Sequence, residues 1–270
     1  MSYQVYFVNA FADSYYRGNQ AGVVIVEEFP EDEFMLGIAK EFGYSETAFV
    51  KRMGFGKYHI RWFTPETEVN LCGHGTLAAA KVLFHEIIPN EKLVLFQSRS
   101  GDLLARRLGD FIQLDFPSDE PVSIEVDNRI LKAFSQTNAE EILFSSNTRN
   151  MIVVYKDVET ILSLKPDFRQ LSQLRSDNIF GIIVTATGTG GYDYTCRYFA
   201  PWEGINEDPV TGSAQTCLAP YWSKKLGKSE LKGYQASSRG GEFIVEMAEN
   251  RVLISGKAFI YLKGEIKRGF

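Results

Sequence analysis

The chain has little of what the specialised protein classes need. Only three of its 270 residues are cysteines (Cys72, Cys196, Cys217) and three are histidines (His59, His74, His85). No CxxC pair occurs, so a disulfide framework is set aside, and these six residues show no zinc-ligand spacing. A reducing compartment fits this usage, and a cytoplasmic location is expected. No apolar run approaches the roughly 20 residues of a membrane-spanning helix. The N-terminus MSYQVYFVNAF alternates like a strand and lacks the charged-then-apolar profile of a secretory signal. No Gly-x-Gly-x-x-Gly follows the first strand-like run, which argues against a dinucleotide-binding oxidoreductase. Long basic runs are missing too. Lys plus Arg is 29 against 34 Asp plus Glu, a net charge of −5. Neither nucleic acid nor an anionic membrane is expected as a partner.

What remains is an ordinary globular composition, 44% hydrophobic and 23% charged. A chain of this length can bury a full core without staples. Strand-like runs fall at about 3–8, 22–27, 47–50, 58–63, 92–97, 102–107 and 111–115. Phe34, Ile38 and Phe42 have helical spacing over 32–42, and Gly43 is placed to cap that helix. Leu77, Ala80 and Phe84 give an alanine-rich amphipathic helix over about 73–86. The short polar segment Pro117–Pro121 reads as a linker. Two domains are therefore expected. The first is 1–116, joined by the last strand near 258–270. The second is the C-terminal half, 117–270. In the second half, helices are expected near 127–135, near 166–175 and from Gly212. Strands are expected near 151–155, 179–186, 192–199, 242–247, 251–255 and 258–266.

An internal repeat links the halves. Arg61-Trp-Phe-Thr-Pro65 is answered by Arg197-Tyr-Phe-Ala-Pro201, about half a chain length later. Each is followed by a short acidic loop, a tight glycine motif (CGHGT at 72–76, TGSA at 211–214) and an apolar helix. The repeated order points to two similar half-molecules related by a pseudo-two-fold. A helix start offers backbone N–H groups without internal partners and a positive dipole end, hence an anion site. Two such starts facing one another would hold a small acidic substrate.

These motifs carry a family resemblance. VNAFADSYYRGNQAGVV (8–24), GYSETAFV (43–50), IRWFTPETEVNLCGHGTLAAA (60–80) and NEDPVTGSAQTCLAPYW (206–222) resemble the phenazine-biosynthesis PhzF-like family. The resemblance implies an α/β (α+β) fold of the diaminopimelate epimerase type. In that fold each of two pseudo-symmetric domains is a curled, mostly antiparallel sheet (a half-barrel) around a central helix. It implies an isomerase acting on a small carboxylated substrate between the domains, without metal or organic cofactor, in a homodimer. Glu46 matches the general acid/base. His74 and Asp208 match residues lining the site. Ser213 matches the substrate-binding serine, Gly73 and Gly212 the glycines at the helix starts, and Asn19 the loop bordering the cleft. The chain departs from the family at Asn70, usually acidic, at Gly75, often Ala or Pro, and at Gln215, commonly His. Glutamine hydrogen-bonds but does not titrate.

Proton abstraction beside a carboxylate needs a base tuned toward neutrality. Glu46, before the apolar run Ala48-Phe49-Val50, is expected to be partly buried and to serve as that base. Cys72 is the rival. A thiol at a helix start has a depressed pKa and is a fair base. It reads equally as a buried small hydrophobe, a proton relay or a substrate contact. The corresponding second-half position is Thr211, so a two-cysteine racemase is not expected. His74 could orient a carboxylate or relay a proton. Asp208 and Ser213 read either as helix caps or as ligand contacts. A non-catalytic binding protein on the same fold is the alternative function.

Overall fold

The computed structural model describes residues 2–125, 128–174 and 178–267. Residues 127, 175 and 268–270, at the edges of expected elements, lie outside these. Contacts divide the chain into two compact units, 1–115 with 254–270, and 116–253.

The first unit contains β1 (Ser2–Ala10), β2 (Asn19–Val26), α1 (Asp32–Phe42), β3 (Glu46–Gly54), β4 (Lys57–Phe63) and β5 (Glu68–Val69). It continues through α2 (Gly73–Val82), a wider π-type turn (Leu83–Ile87), β6 (Leu93–Ser98), β7 (Gly101–Leu108) and β8 (Phe111–Pro117). The last strand of the chain, Ala258–Lys267, pairs with β1 through a bulge between Phe7 and Val8. β2 and β3 are parallel, as are β4 and β6; the other pairs are antiparallel. α1 is the amphipathic helix. It lays Met35, Ile38 and Ala39 on Tyr3, Val5, Val24, Val26, Phe49 and Phe63 of the sheet. Each large aliphatic side chain so buried contributes about 1.5–3 kcal/mol. Gly43 ends α1 in the left-handed region at φ 64° and returns its N–H to Ala39 O.

α2 corrects the expectation of an amphipathic helix. Every residue from Gly73 to Val82 except Lys81 is buried. It packs on β1, β2, β3 and the last strand. A helix buried all round is a central core helix. The run Ala78-Ala79-Ala80 keeps its side chains short and lets the strands approach.

The second unit contains β9 (Val122–Ser123), α3 (Asn128–Ala133), β10 (Glu141–Ser145), β11 (Asn150–Val154), α4 (Val158–Ser163) and α5 (Phe168–Gln173). Then come β12 (Gly181–Thr187), β13 (Tyr194–Ala200), β14 (Ile205–Asp208), α6 (Gln215–Leu226), β15 (Glu230–Gln235), β16 (Gly241–Ala248) and β17 (Arg251–Gly256). Its pairing repeats that of the first unit. β11 and β12 are parallel, β12 and β13 antiparallel, β13 and β15 parallel. α6 is the second central helix, with Gln215 through Pro220 and Trp222 buried. It starts at Gln215 and not at Gly212. Residues 212–214 form a tight turn whose bonds run Gln215 N–H to Gly212 O and Thr216 N–H to Ser213 O. The Pro117–Pro121 segment is not loosely held: Asp119 is buried, and its carboxylate accepts from Thr148 N (2.8 Å) and Thr148 Oγ1 (2.9 Å).

The repeat seen in the sequence has a physical counterpart in each unit. Arg61 grips Glu68 through Nε (2.8 Å) and Nη2 (2.6 Å) and lies over the Phe63 ring. Arg197 grips Glu207 through Nε (2.7 Å) and Nη2 (3.1 Å) and lies over Phe199. The two-pronged guanidinium ties a strand to the acidic loop that leads to each glycine motif.

Candidate active site

Three elements of the first unit converge on one cluster. Asn19 opens β2, Glu46 opens β3, and Cys72 is the N-cap of α2. The parallel register of β2 and β3 sets Ala21 opposite Glu46, so Asn19 and Glu46 share one end of the sheet. Cys72 Sγ accepts the N–H of Gly75 (3.3 Å), and its carbonyl accepts Thr76 Oγ1 (2.6 Å). His74, on the first turn, is buried between them. Its Nε2 lies 3.0 Å from Glu46 Oε2 and its Nδ1 3.3 Å from Asn19 Nδ2. Cys72 Sγ lies 3.6 Å from Nδ1 and 3.9 Å from Nε2. Ser45 Oγ donates to Asn19 Oδ1 at 3.3 Å. Glu46 is partly buried, with 15% of its side chain exposed. Its Oε2 is fully covered, with His74 Nε2 against it.

Electrostatics separates the roles. Burial opposes charge on His74, but Cys72 and Glu46 outweigh it and hold its pKa well above the usual imidazole value. The Cys72 thiol moves the other way. Burial, then the Glu46 charge, push its pKa up despite its place at a helix start. Of the readings left open for Cys72, this favours the buried thiol over the activated one, since desolvation outweighs the contacts with His74 and Gly75.

The second unit carries its own cluster. Asp208, at the end of β14, is buried and accepts the Thr211 hydroxyl. Gln235 donates to Asp208 O (2.8 Å) and Thr211 Oγ1 (3.1 Å) and accepts Thr211 N–H (2.9 Å). Gln215 donates to Thr211 O (3.1 Å) and accepts the Tyr194 hydroxyl. Two glutamine side chains thus staple the loop that carries Gly212 and the half-buried Ser213. Asp208 does not cap α6, whose N-cap is Ala214 without a side-chain bond. Neither Gly73 nor Gly212 has a positive φ, so neither is there for turn conformation.

Comparison with known proteins places this geometry. The family model for the phenazine biosynthesis-like proteins, PhzC-PhzF, matches residues 8–264. The chain belongs to that family. It is 42% identical to an uncharacterized isomerase of Pseudomonas aeruginosa, over 98% of this chain and 99% of that one. A crystal structure of a PhzF-family phenazine biosynthesis protein from Enterococcus faecalis superposes with TM-score 0.93 at 41% identity, covering 99% of this chain and 100% of that one. A hydroxyproline epimerase from Agrobacterium vitis shares the fold alone, at TM-score 0.59 and 14% identity, over 98% and 92% of the two chains.

Within this PhzF-type fold, the structure brings Asn19, Glu46, Cys72, Gly73 and His74 together in the first unit. Asp208, Gly212 and Ser213 gather in the second. Ser45 was missed as a site residue although it lies in the SETAF motif. Gln235 lies in no motif and had no sequence signal. Among the described residues no helix is long and apolar enough to cross a membrane.

Proposed function

We propose that this chain is an isomerase that moves a proton from one carbon to another of a small carboxylated substrate, with Glu46 as the acid/base. The observation that carries this reading is the Glu46 carboxyl, 15% exposed, with its covered Oε2 held 3.0 Å from His74 Nε2. Held at that oxygen, the carboxyl has its other oxygen to offer to a substrate C–H. The relatives named as isomerases support the reaction class.

In this reading the Glu46 carboxylate takes a proton from the carbon beside the substrate carboxylate. The electron pair moves into the conjugated carboxylate, whose negative charge the open N–H groups at the start of α2 receive. The same carboxyl then returns the proton to a different carbon, so protons and electrons balance without an external donor. His74 steadies the carboxylate between the two transfers, and Asn19 and Ser45 hold His74. The raised Cys72 pKa leaves the thiol a poor base, which disfavours the thiol-assisted epimerase.

The test is an NMR screen of small amino, hydroxy and dienoic acids in D2O with wild type and Glu46→Gln. Deuterium entering carbon only with wild type is the expected result. Exchange that survives Glu46→Gln and stops in Cys72→Ser would move the chemistry to the thiol. Binding of these acids without exchange would point to a non-catalytic binding protein.

A further inference from the structure

The side chains that make the acid/base cluster also make a metal-ligand set. One ligand atom each from Glu46, Cys72 and His74 fall within 4.8 Å of one another. Glu46 Oε2 to His74 Nε2 is 3.0 Å, and Cys72 Sγ to His74 Nε2 is 3.9 Å. Zinc bonds of about 2.0–2.3 Å in a tetrahedron separate neighbouring ligand atoms by roughly 3.3–3.8 Å. The two contacts of His74 Nε2 reach that range with shifts of a few tenths of an ångström, and Glu46 and Cys72, within 4.8 Å of one another, must draw together to close the third side. Thiolate, imidazole and carboxylate together are a zinc-preferring set, and three ligands leave one position open to water.

Two further features fit an ion. Glu46 Oε2 is covered without an aligned hydrogen bond among the described residues. The far nitrogen of His74 already faces the Asn19 amide, itself held by Ser45. A metal-bound imidazole needs such an outer partner to fix its orientation. Nδ2 faces the ring and Oδ1 takes the Ser45 hydroxyl, so the amide must turn over to accept an Nδ1–H when Nε2 binds metal.

We propose that Glu46, Cys72 and His74 form a Zn2+ site, and that the ion inhibits the protein by occupying the acid/base. Binding forms one Zn–S, one Zn–N and one Zn–O bond and releases the thiol proton and the Nε2 proton of His74 to solvent. The binding stands on geometry alone. The inhibition rests on the proposed role of Glu46.

The experiment uses the full chain, stripped of metal and freed of chelator. Zn2+ is titrated in competition with a colorimetric chelator, and Co2+ is bound in parallel for its absorption spectrum. One Zn2+ per chain and a sulfur-to-cobalt charge-transfer band are expected. Cys72→Ser should abolish the band, and Glu46→Gln should weaken Zn2+ binding by more than about 10-fold. Cys196→Ser and Cys217→Ser should change neither. No stoichiometric Zn2+, a band that persists in Cys72→Ser, or unweakened binding in Glu46→Gln would overturn the site. Glu46→Gln keeps the shape of the side chain and serves if the cysteine variant fails to fold. Where wild type exchanges deuterium, Zn2+ should stop it and EDTA restore it. A tight ion with undiminished exchange would keep the site and remove Glu46 from the chemistry.

Discussion

Asn19 Nδ2 lies 3.3 Å from His74 Nδ1, on the side of the ring away from Glu46. The imidazole is held from both sides, and Glu46 is aimed through it. On the proposed reading Asn19 is a positioning residue. Asn19→Ala should lower turnover while substrate binding changes little, and should cost about 1 kcal/mol of stability. The kcat-against-KM split in steady-state kinetics checks this. A rise in KM at unchanged kcat would make Asn19 a substrate contact instead.

The raised pKa of His74 has a consequence for stability. A histidine raised on folding contributes its full stabilisation below its unfolded pKa, near ~6.5. That contribution disappears as pH rises through the folded value. The advantage of wild type over His74→Gln should thus be largest near about pH 6 and shrink toward alkaline pH. Thermal unfolding of both proteins across that range gives the answer. A difference independent of pH would mean that the ring folds neutral.

The repeated arginine–glutamate grips are not interchangeable with lysine. Arg61 and Glu68 keep only 13% and 9% of their side chains exposed, and Arg99 Nη2 also meets Glu68 at 2.7 Å. Removing that carboxylate strips a partner from two guanidinium groups. Glu68→Gln should cost about 3 kcal/mol. Arg197 grips Glu207 and also reaches Ile161 O (2.8 Å) and Leu164 O (3.1 Å). A single ammonium cannot span those partners, so Arg197→Lys should cost a similar amount. Urea unfolding measures both. Losses under about 0.5 kcal/mol would place these pairs among the energetically neutral surface bridges.

How far the sequence could be read depended on whether the deciding contact was local. α1 was legible to the residue because spacing and the Gly43 cap are local signals. α2 was legible in position but not in burial, because alanine fits a half-exposed helix as well as a central one. β10 and β15 went unseen. Glu230-Leu-Lys-Gly-Tyr-Gln235 mixes charge and glycine, and only its pairing with β13 and β16 makes it a strand. In the candidate site, Glu46 and His74 were marked by motif. The bond from Ser45 to Asn19 and the bonds from Gln235 to Thr211 join distant segments that no local pattern announces. For Cys72 an activated and a buried thiol stood equally open, because helix position is visible in sequence and complete desolvation is not.

Two glycine-to-alanine changes should move stability in opposite directions. A Cβ at Gly75 would lie 2.9 Å from Cys72 Sγ and 2.9 Å from Trp62 Cδ1. Trp62 is itself buried and cannot yield freely. Gly75→Ala should therefore cost about 1–3 kcal/mol by overpacking. It should also displace the thiol, so that alkylation of Cys72 in the folded protein speeds up. Gly37 lies inside α1 and a Cβ there meets nothing within 4 Å. Gly37→Ala should stabilise by about 0.5–1 kcal/mol, since alanine loses less backbone freedom in a helix. Thermal unfolding with intact-mass alkylation reads both variants. A Gly75→Ala protein as stable as wild type, with an equally slow thiol, would show that the first turn of α2 can open around a methyl group without disturbing the Cys72–His74 contact.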